Sequence, residues 1–261
     1  MDLGIKGKTA LVFGASQGLG EGIARALAAE GCNLIVGARR TDLLDALARD
    51  LAATHGVQVR TQAIDMTDRA AVEDLCARIR DDYRPDILVN NSGGPPPTVS
   101  TGVELDVWET SFQSLFFSVI RISEAAVEGM RQRGWGRILT ITSSGVVQPI
   151  PNMAMSNTVR SSVVAFSKTL AGEVAQDGVT VNVIIPGRID TVRVGLLDEA
   201  AAKRQGKTVD DVRAASRANI PAGRYGRVEE FAAVAAFLVS DPASYVTGTM
   251  VRCDGGLIRA V

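Results

Sequence analysis

One short stretch near the N-terminus, Gly14-Ala15-Ser16-Gln17-Gly18-Leu19-Gly20, limits what this chain can fold into. An apolar run, Thr9 to Phe13, leads into it, and Leu19, Ile23 and Leu27 then recur at helical spacing. The spacing predicts a strand, a tight turn and a helix. Residues without a Cβ allow such a turn, and they let the backbone come close to a ligand. The free amides at the start of the helix then face negative charge. The stretch therefore reads as a cradle for a pyrophosphate, with Gly14, Ser16, Gln17, Gly18, Leu19 and Gly20 as the contacting residues.

The rest of the chain repeats the alternation. Strands are expected at Thr9–Phe13, Asn33–Val36, Val57–Ile64, Ile87–Val89, Arg137–Thr142, Thr180–Ile185 and Thr249–Cys253. Between them lie helical patterns such as Asp42–Ala53, where Leu43, Leu44, Leu47 and Leu51 make one stripe. Strands separated by helices imply right-handed crossovers and a parallel sheet. The expected fold is α/β, a single Rossmann-type doubly wound parallel sheet of about seven strands with helices on both faces. We take residues 1–261 as one dinucleotide-binding domain, a length that can bury a large core.

The formal net charge of -1 argues against a nucleic-acid partner. Charges break every apolar run before it reaches the length of a membrane span, and the first ten residues carry no signal-peptide core. The chain reads as soluble and cytoplasmic. Its three cysteines, Cys32, Cys76 and Cys253, are widely spaced and unpaired by motif, which suits a reducing compartment. Cys32 and Cys253, beside expected strands, read as buried structural thiols. The lone histidine, His55, falls in the polar turn Thr54-His55-Gly56 and reads as a surface residue. A His-based triad or a metal site has no material to work with.

In a dinucleotide fold, the residue after the second strand selects the cofactor. A carboxylate there would bind the ribose hydroxyls and repel a 2′-phosphate. This chain has Gly37-Ala38-Arg39-Arg40 instead. A guanidinium can grip a phosphate in bidentate fashion. The expectation is NADP(H) over NAD(H), with Arg39 as the main contact and Arg40 as the second.

From about Ile5 to the C-terminus the chain resembles the classical short-chain dehydrogenases/reductases. The resemblance rests on the glycine stretch, Asp65, Asn90-Asn91-Ser92-Gly93, Ser143, Asn182, Pro186-Gly187 with Thr191, and Asp254-Gly255-Gly256, all in the family's order. It implies that Asp65 and Met66 lie against the adenine and that Asn91, Ser92 and Gly93 pass close to the ribose, with Ser92 where alanine is usual. It also implies that Pro186, Gly187, Ile189 and Thr191 orient the nicotinamide amide. The intervening Gly94-Pro95-Pro96-Pro97 cannot be helical and should form a rigid rim over the pocket.

The family's chemistry uses a serine and a tyrosine on the substrate carbonyl, a lysine four residues after the tyrosine, and an asparagine that positions a water relay. Alignment through Phe166-Ser167-Lys168-Thr169-Leu170-Ala171 puts Ser156 at the tyrosine position and Arg160 at the lysine position. Ser143 matches the serine, and Leu115 falls at the asparagine position. The tyrosines Tyr83, Tyr225 and Tyr245 are remote from this segment. Tyr225 and Tyr245 read as packing residues, with Tyr225 near enough to the lid to reach the pocket. An alkyl hydroxyl is a far weaker acid than a phenol, whose reference pKa is about 10. In the family the lysine holds the nicotinamide ribose; arginine keeps its charge and donates in a planar fork, so Arg160 is expected to bind the cofactor's ribose as well.

Three functional readings follow. The first is an NADP(H)-dependent oxidoreductase interconverting a carbonyl and a secondary alcohol, with Ser143, Ser156 and Arg160 as a rearranged catalytic set. The second is a catalytically silent NADP(H)-binding protein that acts as sensor or partner subunit. The third is a structural subunit with no need of the cofactor, which the nearly complete dinucleotide site disfavours.

The chain is most similar to the 3-oxoacyl-acyl-carrier-protein reductase branch, which implies a β-keto substrate on a carrier, although a small keto acid or sugar acid fits as well. Residues 190–224, rich in Arg and Lys, are expected to form a lid over the substrate. With Arg188, that lid suits an anionic substrate or an acidic carrier protein. The resemblance further implies a homotetramer, with apolar faces at Leu115-Phe116-Phe117 and Val163-Val164-Phe166 available for it.

Overall fold

The computed structural model describes residues 1–260. Seven parallel strands form one sheet in the order β3-β2-β1-β4-β5-β6-β7. They are β1 (Thr9–Phe13), β2 (Asn33–Ala38), β3 (Val59–Ala63), β4 (Ile87–Asn90), β5 (Gly136–Ile141), β6 (Val179–Pro186) and β7 (Met250–Cys253). All seven expected strands are present, with shifts at their ends. The largest is in β3, shorter than expected at both ends, which as the sheet's edge pairs only with β2.

Period-2 alternation in a sheet covered on both faces sends neighbouring residues into different cores. In β1, Ala10 and Val12 join one cluster, whereas Leu11 and Phe13 join the other. The first cluster is covered by α1 (Gly18–Ala29), α2 (Thr41–His55) and α9 (Val228–Leu238), through Ile23, Leu44 and Phe231. The second lies under α3 (Arg69–Arg78), α5 (Ser118–Arg133) and α6 (Ala154–Val174), through Leu75, Ile122 and Leu170. Each such buried side chain contributes about 1.5–3 kcal/mol relative to exposure. A further helix, α4 (Leu105–Phe112), runs through a π-helical turn at Gln113–Phe117 into α5.

Strand order reverses between β1 and β4, so their carboxyl ends diverge and leave a crevice.

Several local expectations are corrected. His55 is the last residue of α2 rather than part of a turn, because Gly56 is the first residue to take left-handed backbone (φ +68°). Cys253 ends the edge strand β7 and is only half-buried. Cys32 is buried, as expected; its Sγ donates to the Ile5 carbonyl at 3.1 Å, and burial pushes the thiol up to about 12. Tyr245 packs against nothing, being fully exposed at 101%. Residues 190–224 fold into two helices, α7 (Val192–Gln205) and α8 (Val209–Ala218), the second opened by a Thr208/Asp211 capping box. Among the described residues, no helix is long and apolar enough to cross a membrane.

Candidate active site

The crevice holds a cleft of about 1370 Å³. Its floor begins at the turn between β1 and α1. Gly14 has φ +61°, and a Cβ on it would stand 2.5 Å from Asn91 Nδ2 and 2.8 Å from the Asn91 carbonyl oxygen. The turn and the end of β4 are thus in contact, which brings the cradle beside Asn91, Ser92 and Gly93. Ser16, Gln17, Gly18 and Leu19 line the cleft with Gly14. Gly20 does not. It is buried below the turn, where any side chain would run into the Gly14 carbonyl, so it acts by close packing rather than by facing a ligand.

At one end of the cleft, Arg39 and Arg40 follow β2 and are exposed. Arg40 Nη2 donates to Ser16 Oγ at 3.4 Å, linking the pair to the glycine turn. Asp65 and Met66 lie at this end as well. Asp65 accepts from the Thr67 amide at 3.0 Å and the Thr67 hydroxyl at 2.9 Å. Those bonds, with the charge of Arg39, hold its carboxyl below the usual range. Asn90, next to the ribose-side turn, is buried and donates to Ser123 Oγ at 3.0 Å, tying β4 to α5.

At the other end, β5 delivers Ser143 and α6 delivers Ser156 and Arg160, one helical turn apart. All three line the cleft. Ser143 Oγ accepts from the Gly145 amide at 3.2 Å, which leaves its own O–H free to donate. Ser156 is nearly buried, at 4% exposed. Arg160 donates through Nη1 to the Ile141 carbonyl at 3.0 Å and through Nη2 to the Ser92 carbonyl at 3.2 Å. Burial pushes its pKa down to about 10, and the neighbouring positive charge of Arg193 acts in the same direction. Leu115, at the asparagine position, lies in the π-helical turn and joins Met155 and Val159 in a small apolar cluster. Leu115 itself can hold no polar relay, although Ser111 and Ser114 line the cleft beside it.

The segment after β6 closes the cleft. Pro186, Gly187, Ile189 and Thr191 all reach it. Thr191 Oγ1 is engaged as the N-cap of α7, accepting from the Val194 amide at 3.3 Å, so its O–H is its remaining donor. Ile189 is 4% exposed and belongs to the core packed on α9.

Arg188, expected to face an anion, is instead paired. Its Nη1 lies 3.2 Å from Oδ1 of Asp198, which is fully buried. Arg213 Nε lies 3.3 Å from Oδ2, and the Tyr225 hydroxyl donates to that oxygen at 3.1 Å. Tyr225 thus belongs to this latch and not to the cleft lining. The site residue that sequence reasoning placed only in the lid's charge pattern is Arg193. It lines the cleft and donates to the Pro95 carbonyl at 2.9 Å. Its position two residues after Thr191, at the lid's first helical turn, was the available signal.

The family model described as Enoyl-(Acyl carrier protein) reductase matches residues 14–258. The 3-oxoacyl-[acyl-carrier-protein] reductase of Salmonella typhimurium is 36% identical over 258 residues, 98% of this chain and 99% of its own. L-Sorbose reductase from Gluconobacter frateurii, solved with NADPH and L-sorbose, superposes with a TM-score of 0.93 at 32% identity over the whole of both chains. An NADPH-dependent reductase involved in bacilysin biosynthesis gives 0.93 at 30% identity, over 98% of this chain and 100% of that one. The chain belongs to the short-chain dehydrogenase/reductase family, and is an oxidoreductase of the carbonyl/alcohol type.

Proposed function

We propose that this protein is an NADP(H)-dependent reductase of carbonyl groups in which Ser143, Ser156 and Arg160 do the work that a serine, tyrosine and lysine do in its relatives. The observation that carries this reading is the continuity of one cleft, from Arg39 and Arg40 past the glycine turn to Ser143, Ser156 and Arg160. The residues fit the dinucleotide. The cradle has no room for side chains at Gly14, free amides start α1, and a guanidinium pair stands where a 2′-phosphate would lie. Both NADPH-related neighbours point the same way.

When bound, NADPH supplies the hydride for the carbonyl carbon. The Ser143 O–H, whose oxygen is held by the Gly145 amide, donates to the carbonyl oxygen. Ser156 adds a second hydroxyl, which orients the oxygen and a water that delivers the proton. Arg160 stays charged at neutral pH, fixed at two carbonyls, and stabilises the negative charge that develops on the oxygen. Without a phenol the site lacks a strong general acid, a group that typically contributes roughly 10²- to 10⁴-fold in rate. Slow turnover is expected, in either direction.

The protein is proposed to act as a homotetramer in the cytoplasm. Of the apolar faces expected for such contacts, Leu115 and Val163 are buried within the chain, while Phe117 is exposed, as are Phe237 and Met250; light scattering at micromolar concentration tests the assembly. A second reading, cofactor binding without turnover, draws on the apolar Leu115 at the relay position. Titration with NADPH and NADH decides first: tight NADPH with weak NADH supports the reductase, and no binding of either at millimolar concentration ends it. Steady-state reduction of a carbonyl panel then separates turnover from silent binding.

A further inference from the structure

At the substrate end of the cleft, Arg160 and Arg193 have no negative partner among the described residues. Arg160 is 9% exposed, yet both of its hydrogen bonds go to neutral carbonyls, and the charge that most affects it is that of another cation, Arg193. Arg193, an exposed residue at the mouth of the cleft, likewise spends its bond on a carbonyl, that of Pro95. The two forks converge: a Cβ built on Gly94 would lie 3.2 Å from Arg193 Nη2 and 3.9 Å from Arg160 Nη2. Arg188, by contrast, is neutralised by Asp198. Among the described residues, the one acid lining the cleft, Asp65, stands at its far end beside Arg39.

A buried charge without a counter-ion is costly, and two like charges side by side add to the cost. The arrangement makes sense when the ligand brings the anion. Each guanidinium keeps unused donors in a planar fork that matches a carboxylate. The pair also stands beside the reacting groups. Ser143 lies two residues beyond Ile141, whose carbonyl holds Arg160, and Ser156 lies one turn before Arg160 on α6. The phosphates of a dinucleotide have their own partners at the glycine turn and at Arg39 and Arg40.

We propose that the substrate carries its own carboxylate, gripped by Arg193 and Arg160, so that the enzyme reduces a free oxo acid rather than a carrier-bound acyl thioester. This rests on the reductase reading above. It places the specificity of the site in Arg193, at the lid's first turn, and it makes lid closure and charge neutralisation one event.

The test uses the full chain saturated with NADP⁺. Pyruvate, acetoacetate and levulinate, which step the carboxylate away from the carbonyl, are each titrated against their methyl esters by calorimetry. Arg193→Gln and Arg193→Lys are carried alongside. A charge-assisted contact is worth roughly ten- to a hundredfold in affinity. At least one acid is therefore expected to bind about tenfold or more tightly than its ester. That preference should vanish in Arg193→Gln, return in part in Arg193→Lys, and leave NADPH affinity within about twofold.

If no acid outbinds its ester, the carboxylate proposal is overturned. It is equally overturned if Arg193→Gln weakens NADPH as much as it weakens the acid, since the fork then reads the cofactor's phosphates. Failure of NADPH to bind at all would strike the reductase reading instead, so the two failures are separable.

Discussion

Arg160 Nη1 donates across 3.0 Å to the main-chain oxygen of Ile141, joining the middle of α6 to the end of β5 with a cation that has no acid beside it. The bond positions the guanidinium, while the burial disfavours its charge. Its pKa in the fold, about 10, lies below the ordinary arginine value, chiefly because the group is buried. The unfolded chain therefore holds this proton more firmly than the folded one between those values. Stability from this group rises with pH in that window, and the cost of the buried charge is felt in full below it. Relative to Arg160→Met, the wild type should gain roughly 1 kcal/mol of unfolding free energy between pH 8 and 10.5. Urea denaturation of both proteins across that range checks this, and a flat difference would mean that the cation is not buried in solution.

Arg39 and Arg40 should separate the two nicotinamide cofactors. Loss of one bidentate phosphate contact weakens binding by about ten- to a hundredfold. Arg39→Ala is expected to weaken NADPH by that amount and to leave NADH nearly unchanged, with Arg40→Ala giving a smaller effect through its tie to Ser16. Equal losses for both cofactors would remove Arg39 from the role of phosphate reader.

Ser143→Ala tests turnover itself. The Gly145 amide anchors the Ser143 oxygen and leaves the O–H available to a substrate in the cleft. Removing a single preorganised donor of this kind costs roughly 10²- to 10³-fold in kcat. NADPH affinity should hold within about twofold, because Ser143 stands at the substrate end of the cleft. Unchanged kcat would take Ser143 out of the mechanism.

What could be read from the sequence follows from how local each feature is. The turn at Gly14 to Gly20 and the stripes of α1 and α2 are set by neighbours within a few residues, so period and glycine placement reveal them. The edge strand β3 was harder, because only one partner decides where its pairing stops. The cofactor side of the site was legible for the same reason: each piece is a short motif at a strand end. The charge balance of the substrate side was not. Arg188 and Arg193 lie five positions apart and look alike in sequence. Only the fold shows that Asp198, buried from α7, neutralises the first and leaves the second facing Arg160. Likewise Tyr225 could be placed near the lid but not given a partner before Asp198 was seen to accept from it.

Asp198 joins α7 and α8, the segment proposed as a lid, to the rest of the fold. It is fully buried on α7 and receives Arg188 from the end of β6, Arg213 from α8 and the hydroxyl of Tyr225 ahead of α9. Breaking a fully buried pair costs about 3–5 kcal/mol. Here both arginines are about a third exposed and can turn to water, so Asp198→Asn should cost less, roughly 1–3 kcal/mol. The loss should also be local, because the partners of the carboxylate stand at the end of β6 and in the segments beyond it, not inside the sheet core. Hydrogen exchange in α7 and α8 is expected to quicken while β1, β4 and β5 keep their protection. The KM for an oxo acid should rise, since Arg193 rides on the first turn of α7, while NADPH affinity stays close to wild type. Uniform loss of protection across sheet and helices would make Asp198 a general stability residue and not a lid latch.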